Sequence, residues 1–276
     1  ENRAEVAMIF DWDNYWGLEY TSGPSEDLKY VDQIHQYYRY FYEHNIPVDM
    51  VSAEDTFAGY KVVAAPVLYM VKEGMKEALT AFVKQGGILI LTYMSGIVDQ
   101  SDNVYLGGYP GPLRELAGVW VEEIDALFPD QKNQMIFADG REAECGLVCD
   151  IMHLEGAEAL AVYGSDFYKD SPVVTRNAYG EGSTYYIGSD PSEEGIEMIL
   201  DEVREEAGIS GTSGEKAGLE IVSRWNGEQE YGFLMNFTDR VLPVPERFVG
   251  KEDLLTEKAV ESGETMKKYD VKIVKM

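Results

Sequence analysis

The chain has 276 residues and a mass of 31.0 kDa, room for one large domain or two ordinary ones, and its 45% apolar content excludes wholesale disorder. It carries 23 basic against 50 acidic residues, a formal charge of −27. A surface that negative repels phosphate backbones and anionic lipid, so neither nucleic acid nor a membrane is an expected partner.

The acidity is uneven. Residues 1–208 hold 13 basic and 38 acidic side chains, whereas residues 209–276 hold 10 and 12, a step that hints at a domain boundary. The N-terminus starts with neither Met nor a signal peptide and runs almost directly into the apolar stretch 6–10, so the sequence is expected to be a piece of a longer chain. No apolar run approaches the roughly 18 residues of a membrane helix.

Residues 6–12 read as a buried strand ending in the polar pair Asp13-Asn14. Ser25 is a candidate cap for a helix with Leu28, Val31, Ile34, Tyr38 and Phe41 on one face, stopped by Pro47. Strands are predicted at 48–51 and 60–69 (YKVVAAPVLY). A helix carrying Met75, Leu79 and Phe82 follows and ends at Gly86-Gly87, and 88–92 is a further apolar strand. Apolar strands alternating with amphipathic helices predict a parallel sheet covered on both faces.

After residue 94 the rhythm changes. Residues 96–111 form a long, polar, glycine-rich loop, and such loops are often functional. Its composition leaves little apolar surface for self-packing, so it is expected to order against a partner. Residues 172–179 and 183–188 flank a Gly180–Gly182 turn and read as a hairpin, and Ser192 caps a helix with Ile196, Ile199, Leu200 and Val203 inward. Residues 211–218 (GTSGEKAG) are linker-like. A second hairpin, turning at Asn226-Gly227, and a last strand at 271–276 make a small all-β module.

Chemistry-bearing motifs are sparse. His35, His44 and His153 have no ligand spacing, the glycine-rich loop lacks a phosphate-binding lysine, and no metal or cofactor is expected. Cys145 and Cys149 lie four apart; on a regular strand they are about 13 Å apart on one face, beyond disulfide reach, which favours a reducing, cytoplasmic setting. Asn236-Phe237-Thr238 matches a glycosylation sequon. The most informative polar cluster is Asp11-Trp12-Asp13-Asn14, at the strand edge where open α/β sheets gather ligands.

Two carboxylates two apart after a strand resemble the nucleophile and acid of haloacid-dehalogenase-type phosphatases, with Thr92 and Asp190 as further parts, but Asn14-Tyr15 replaces that family's glycine-threonine. Glycoside hydrolysis also needs paired carboxylates, normally atop a barrel of eight βα units, and only about four are countable here. Trp12, Tyr15, Trp16 and Tyr20 are able to stack on a sugar, as in a carbohydrate-binding module, or to serve as packing or interface.

Taken in order, several stretches resemble the C-terminal half of glycoside hydrolase family 42 β-galactosidases. They are 6–16 with F-D-W-x-N-x-W, 45–50 (NIPVDM), 60–69, 82–92 (FVKQGGILILT), 95–118 (SGIVDQSDNVYLGGYPGPLRELAG), 172–188 and 231–239 (YGFLMNFTD). The resemblance implies three parts: a catalytic (β/α)8 barrel, a flavodoxin-like trimerisation domain related to class I glutamine amidotransferases, and a small β domain. Only the last two correspond to this chain, at 1–210 and 211–276.

The implied fold is therefore an α/β, doubly wound sheet followed by a small antiparallel β domain. The family's two catalytic glutamates belong to the barrel, so none is expected here. An amidotransferase cysteine is also missing, since Tyr93-Met94-Ser95 follows the strand at 88–92. The implied partners are further copies of the chain, as a homotrimer, and the upstream barrel, with galactosides bound only through the parent enzyme. Asp11, Trp12, Asp13, Trp16, Asp99 and Tyr109 are the candidate interface or barrel-docking residues.

Overall fold

A computed structural model describes residues 1–21, 23–211 and 218–276; most of the linker-like stretch 211–218 lies outside the described residues. Two compact units emerge, one of Glu1–Glu5, Arg39–Val48 and Ile209–Met276, the other of Val6–Tyr38 and Asp49–Gly208.

The larger unit is built on an 11-stranded sheet. Its first strands are β1 (Val6–Ile9), β2 (Val48–Val51), β3 (Val62–Ala65) and β4 (Ile88–Thr92). Then come β5 (Val119–Ala126), β6 (Asn133–Phe137), β7 (Glu142–Leu154), β8 (Glu158–Tyr163), β9 (Pro172–Tyr179), β10 (Gly182–Ile187) and β11 (Ser189–Pro191). The order is β11-β7-β6-β8-β9-β10-β4-β3-β1-β2, with β5 also paired to β7. The helices are α1 (Trp12–Tyr20), α2 (Tyr30–Glu43, which continues into the other unit), α3 (Met75–Lys84), the single turn α4 (Arg114–Ala117) and α5 (Glu193–Glu206).

This topology corrects the expected flavodoxin-like, glutamine-amidotransferase-like doubly wound fold. Neighbours β1, β3, β4 and β10 are parallel, but β9, β8, β6, β7, β11 and β5 add to the same sheet in antiparallel fashion. A doubly wound sheet needs a helical crossover between successive strands. Among the described residues, only strands and turns lie between β5 and β11. The reason is visible in burial: β1, β3 and β4 are buried along their whole length, whereas β6 alternates buried and half-buried positions, the pattern of a sheet with one wetter face.

Two further differences are local. The predicted strand 60–69 ends at Ala65, because Val67 turns to φ 48° and Asn14 Nδ2 donates to the Val67 carbonyl at 3.0 Å, while the Met70 N–H donates to Asn14 Oδ1 at 2.8 Å. The helix expected after Ser25 begins only at Tyr30; the Ser25 hydroxyl instead accepts from the Asp27 N–H in a preceding turn.

The smaller unit holds β12 (Leu219–Asn226), β13 (Gln229–Asn236), β14 (Leu242–Pro243), β15 (Glu252–Asp253), β16 (Lys258–Ala259), β17 (Thr265–Met266) and β18 (Val271–Lys275). β12-β13-β18-β15-β16 form one sheet and β14-β17 a second. Leu219, Ile221, Leu234, Phe248, Met266 and Val274 lie in its core. Asn236 is fully buried and its Nδ2 donates to the carbonyls of Arg240 and Met266, so the amide of the sequon is already engaged.

Candidate functional site

The candidate residues gather at the carboxyl edge of β1, β3 and β4. Asp11 leaves β1 in an extended conformation, and its side chain accepts from the Asp13 N–H at 3.0 Å, which caps α1. The segment read as a polar strand end is thus the first turn of a helix. Capping spends one Asp11 oxygen locally and anchors the carboxylate beneath the helix, where it is only 6% exposed.

Lys72, a residue the sequence reading passed over, compensates that burial. Its Nζ lies 2.9 Å from Asp11 Oδ2 and 2.6 Å from Asp13 Oδ2. Burial opposes its charge, but hydrogen bonds to Asp13 and Asp11 prevail and hold the ammonium above its ordinary value. Beneath, Tyr30 OH donates to the Ile9 carbonyl and accepts from the Asp11 N–H, and burial beside Asp11 raises its phenol. The arrangement is a helix cap locked by a cation: Asp11 Oδ1 takes the cap and a Lys72 hydrogen bond, and Oδ2 is held only by its ion pair with Lys72. A usable signal was present: Lys72 is one of few cations in an acidic stretch and follows an apolar strand to the same edge as Asp11.

With its base anchored, α1 presents aromatic rings outward. Trp12, Trp16 and Tyr20 are spaced four apart, hence on one face, and are 60%, 50% and 86% exposed. The Trp12 and Trp16 rings lie 6.1 Å apart, and Trp12 meets Phe10 edge-on at 5.0 Å and Tyr15 at 6.0 Å. Tyr69 and Met70 pack against α1 at Gly17, where an added Cβ would come within 3.4 Å of both.

The loop 96–111 joins this edge through residues 71–73. The Val71 N–H donates to the Val98 carbonyl at 2.9 Å, and the Glu73 N–H to Gln100 Oε1 at 3.0 Å. Asp99 Oδ1 accepts from the N–H groups of Ser101 and Asn103 at 2.8 and 3.0 Å; these bonds, Asn103 first, hold its carboxyl below the usual range. The Tyr109 carbonyl accepts from the Val121 N–H at 2.9 Å, and its ring packs on the main core.

Within the chain this loop carries an internal frame of its own. Gly96 and Gly111, both at positive φ, let the two ends of the loop touch: a Cβ on Gly96 would lie 2.1 Å from the Pro110 oxygen. Asp99 and Tyr109 hold the loop's shape, while Trp12 and Trp16 face solvent.

The remaining candidates serve structure. Thr92 is fully buried and its Oγ1 accepts from the Val67 N–H at 2.7 Å. Met94, at φ 58°, turns the chain just after β4. Asp190 lies on β11, away from Asp11 in sheet order. Among the described residues, no three His, Cys, Asp or Glu ligand atoms within either unit come within 4.8 Å of one another, and no helix is long and apolar enough to cross a membrane.

Comparison with known proteins supplies the family. Residues 4–210 match the model of the β-galactosidase trimerisation domain, and residues 218–276 that of the β-galactosidase C-terminal domain. The β-galactosidase LacZ of Lactobacillus acidophilus is 43% identical over 277 aligned positions, and Pbg of Clostridium perfringens 36% identical over 280. Both alignments cover 98–100% of this chain but only 41% of the relative. The crystal structure of β-galactosidase from Bacillus circulans sp. alkalophilus matches with a TM-score of 0.95 at 40% identity, over 99% of this chain and 41% of that one. That of the Rahnella enzyme matches at 0.91 and 33% identity, over 100% and 41%. Spanning about two fifths of the length of its relatives, with both family models in order and Trp12 and Trp16 of the F-D-W-x-N-x-W motif displayed on α1, the chain belongs to the glycoside hydrolase family 42 β-galactosidases and comprises their trimerisation and C-terminal domains.

Proposed function

We propose that this chain is the assembly portion of a cytoplasmic β-galactosidase that hydrolyses terminal β-D-galactosides. It joins three subunits and supports a catalytic barrel, which carries the glutamates that cleave the glycosidic bond. The assembly part ends at residue 210 and the β module starts at 211. Asp11, Trp12, Asp13, Trp16, Asp99 and Tyr109 form or shape the surface offered to a second subunit or to the barrel. Two buried free thiols, Cys145 and Cys149, support the reducing compartment.

The observation that carries this reading is the aromatic face of α1. Three large rings stand half or more exposed on a helix that is capped, ion-paired and packed at its base. Aromatic residues concentrate where subunits meet, and a rigid base lowers the entropy cost of docking them. The charge of −27 makes association weaker at low salt, because repulsion between subunits is screened beyond ~8 Å only at physiological ionic strength.

The test is sedimentation velocity on the barrel-containing enzyme across a salt series, with and without Trp12→Ala and Trp16→Ala together. The parent should be a trimer that tightens with salt, and the double variant should dissociate at concentrations roughly 10- to 100-fold higher, the loss typical of central aromatic contacts. An unchanged trimer in the double variant would remove α1 from the interface.

A further inference from the structure

Regular strand geometry keeps Cys145 and Cys149 roughly 13 Å apart, but β7 is not regular between them. On the facing strand β11, Pro191 stands opposite Cys145, Asp190 opposite Gly146, and Ser189 opposite Cys149. Four residues of β7 thus span two steps of β11. The surplus is a bulge at Gly146–Val148, with Leu147 at φ 60°. Two steps of about 3.3 Å put the Cα atoms roughly 6.6 Å apart on the same face, inside the roughly 4.4–6.8 Å range of disulfides.

Ser189 holds this geometry. Its Oγ donates to the Gly146 carbonyl at 3.1 Å and lies 3.4 Å from Cys149 Sγ, so one hydroxyl clamps the start of the bulge to the second thiol. Interaction with the other thiol leads in holding the Cys149 thiol below its ordinary value and the Cys145 thiol above it. The pair therefore has one sulfur suited to attack and one to resolve.

We propose that Cys145 and Cys149 are a closely spaced dithiol that a peroxide converts into an intrachain disulfide across the β7 bulge. The Cys149 thiolate attacks one peroxide oxygen: an S–O bond forms, the O–O bond breaks, and the departing hydroxide takes up the thiol proton as water. The Cys145 sulfur then attacks the sulfenic sulfur of Cys149: an S–S bond forms, the S–O bond breaks, and hydroxide leaves with the Cys145 proton as a second water. Two thiols and one hydrogen peroxide thus give one disulfide and two waters. Both sulfurs are buried, so the reaction runs through local opening of the bulge, where Leu147 is half-buried.

The experiment treats the native protein with hydrogen peroxide, then unfolds it in iodoacetamide and weighs the tryptic segment 142–169, which contains both cysteines. The expected product has lost two hydrogens, takes up no alkyl group, and regains two alkylation sites after dithiothreitol. In Cys145→Ala protein, Cys149 should instead accumulate as sulfenic acid trapped by dimedone. Two results in the unsubstituted protein overturn the proposal without reliance on any variant. One is Cys149 driven to sulfinic acid with Cys145 still alkylatable. The other is both thiols remaining alkylatable under peroxide that fully oxidises added glutathione.

Discussion

Glu206, the last residue of α5, is the clearest place to weigh a single side chain. Its carboxylate accepts from Arg176 Nε and Nη2, both at 2.8 Å, and from Ser183 Oγ and Tyr185 OH, both at 2.7 Å. It therefore ties α5 to β9 and β10. Burial works against the charge, but the bonds from Arg176, Ser183 and Tyr185 outweigh it and lower the group from 4.5 to about 2. At about 1.36 kcal/mol per unit the full shift corresponds to about 3 kcal/mol; with the side chain 28% exposed, solvent screening reduces this to about 2 kcal/mol.

The sign follows from linkage. A carboxyl whose folded value is depressed binds fewer protons when folded, so its stabilisation is complete above 4.5 and is lost as pH falls toward 2. Glu206→Gln, which does not titrate, should cost about 2 kcal/mol at pH 7 and progressively less below pH 4.5. Urea midpoints of both proteins at several pH values measure the difference, and amide exchange in 182–187 assigns the transition to the larger unit. A difference that is the same on both sides of pH 4.5, or absent at neutral pH, would refute the reasoning.

Asp150 should behave in the opposite sense: it is 1% exposed, and burial, only partly offset by the Tyr186 hydroxyl, raises it to about 8. Its folded form keeps a proton that the unfolded chain releases, so stability falls as pH rises from the acid range to about 8; Asp150→Asn should raise stability at neutral pH and flatten that fall, and a destabilised variant in a urea series would contradict it. Lys72→Met strands the buried Asp11 carboxylate and should cost about 2–3 kcal/mol, below the usual buried-pair loss because Lys72 is 15% exposed. Adding Asp11→Asn should recover most of it, and strictly additive losses in that double-mutant cycle would deny the coupling.

Much of the chain was legible because local patterns were unopposed. The apolar runs of β1, β3 and β4, the amphipathic spacing of α3 and α5, and the hairpins β9–β10 and β12–β13 all follow from periodicity and turn residues. Trp12 and Trp16, singled out from the sequence, stand exposed in the structure. Their helix was not foreseen, because one aspartate served equally well as a strand end or as an N-cap, and only Lys72, 61 residues away in sequence, makes the buried cap tenable. The family resemblance was readable from ordered motifs, but the fold attached to it was not. The alternating burial of Asn133, Met135 and Phe137 has no polar–apolar alternation behind it in the sequence, and which strands they join depends on β7 pairing with β5, β6 and β11 at once.

The cysteines give the sharpest division. Sequence alone determined that two thiols lie four residues apart in an apolar stretch. Their separation was decided by a bulge that exists only because Ser189 and Asp190 of a distant strand pair across it. Period-two geometry is a property of a single strand, whereas register belongs to its neighbours. The distance between two side chains on one strand was therefore set by residues some 40 positions away.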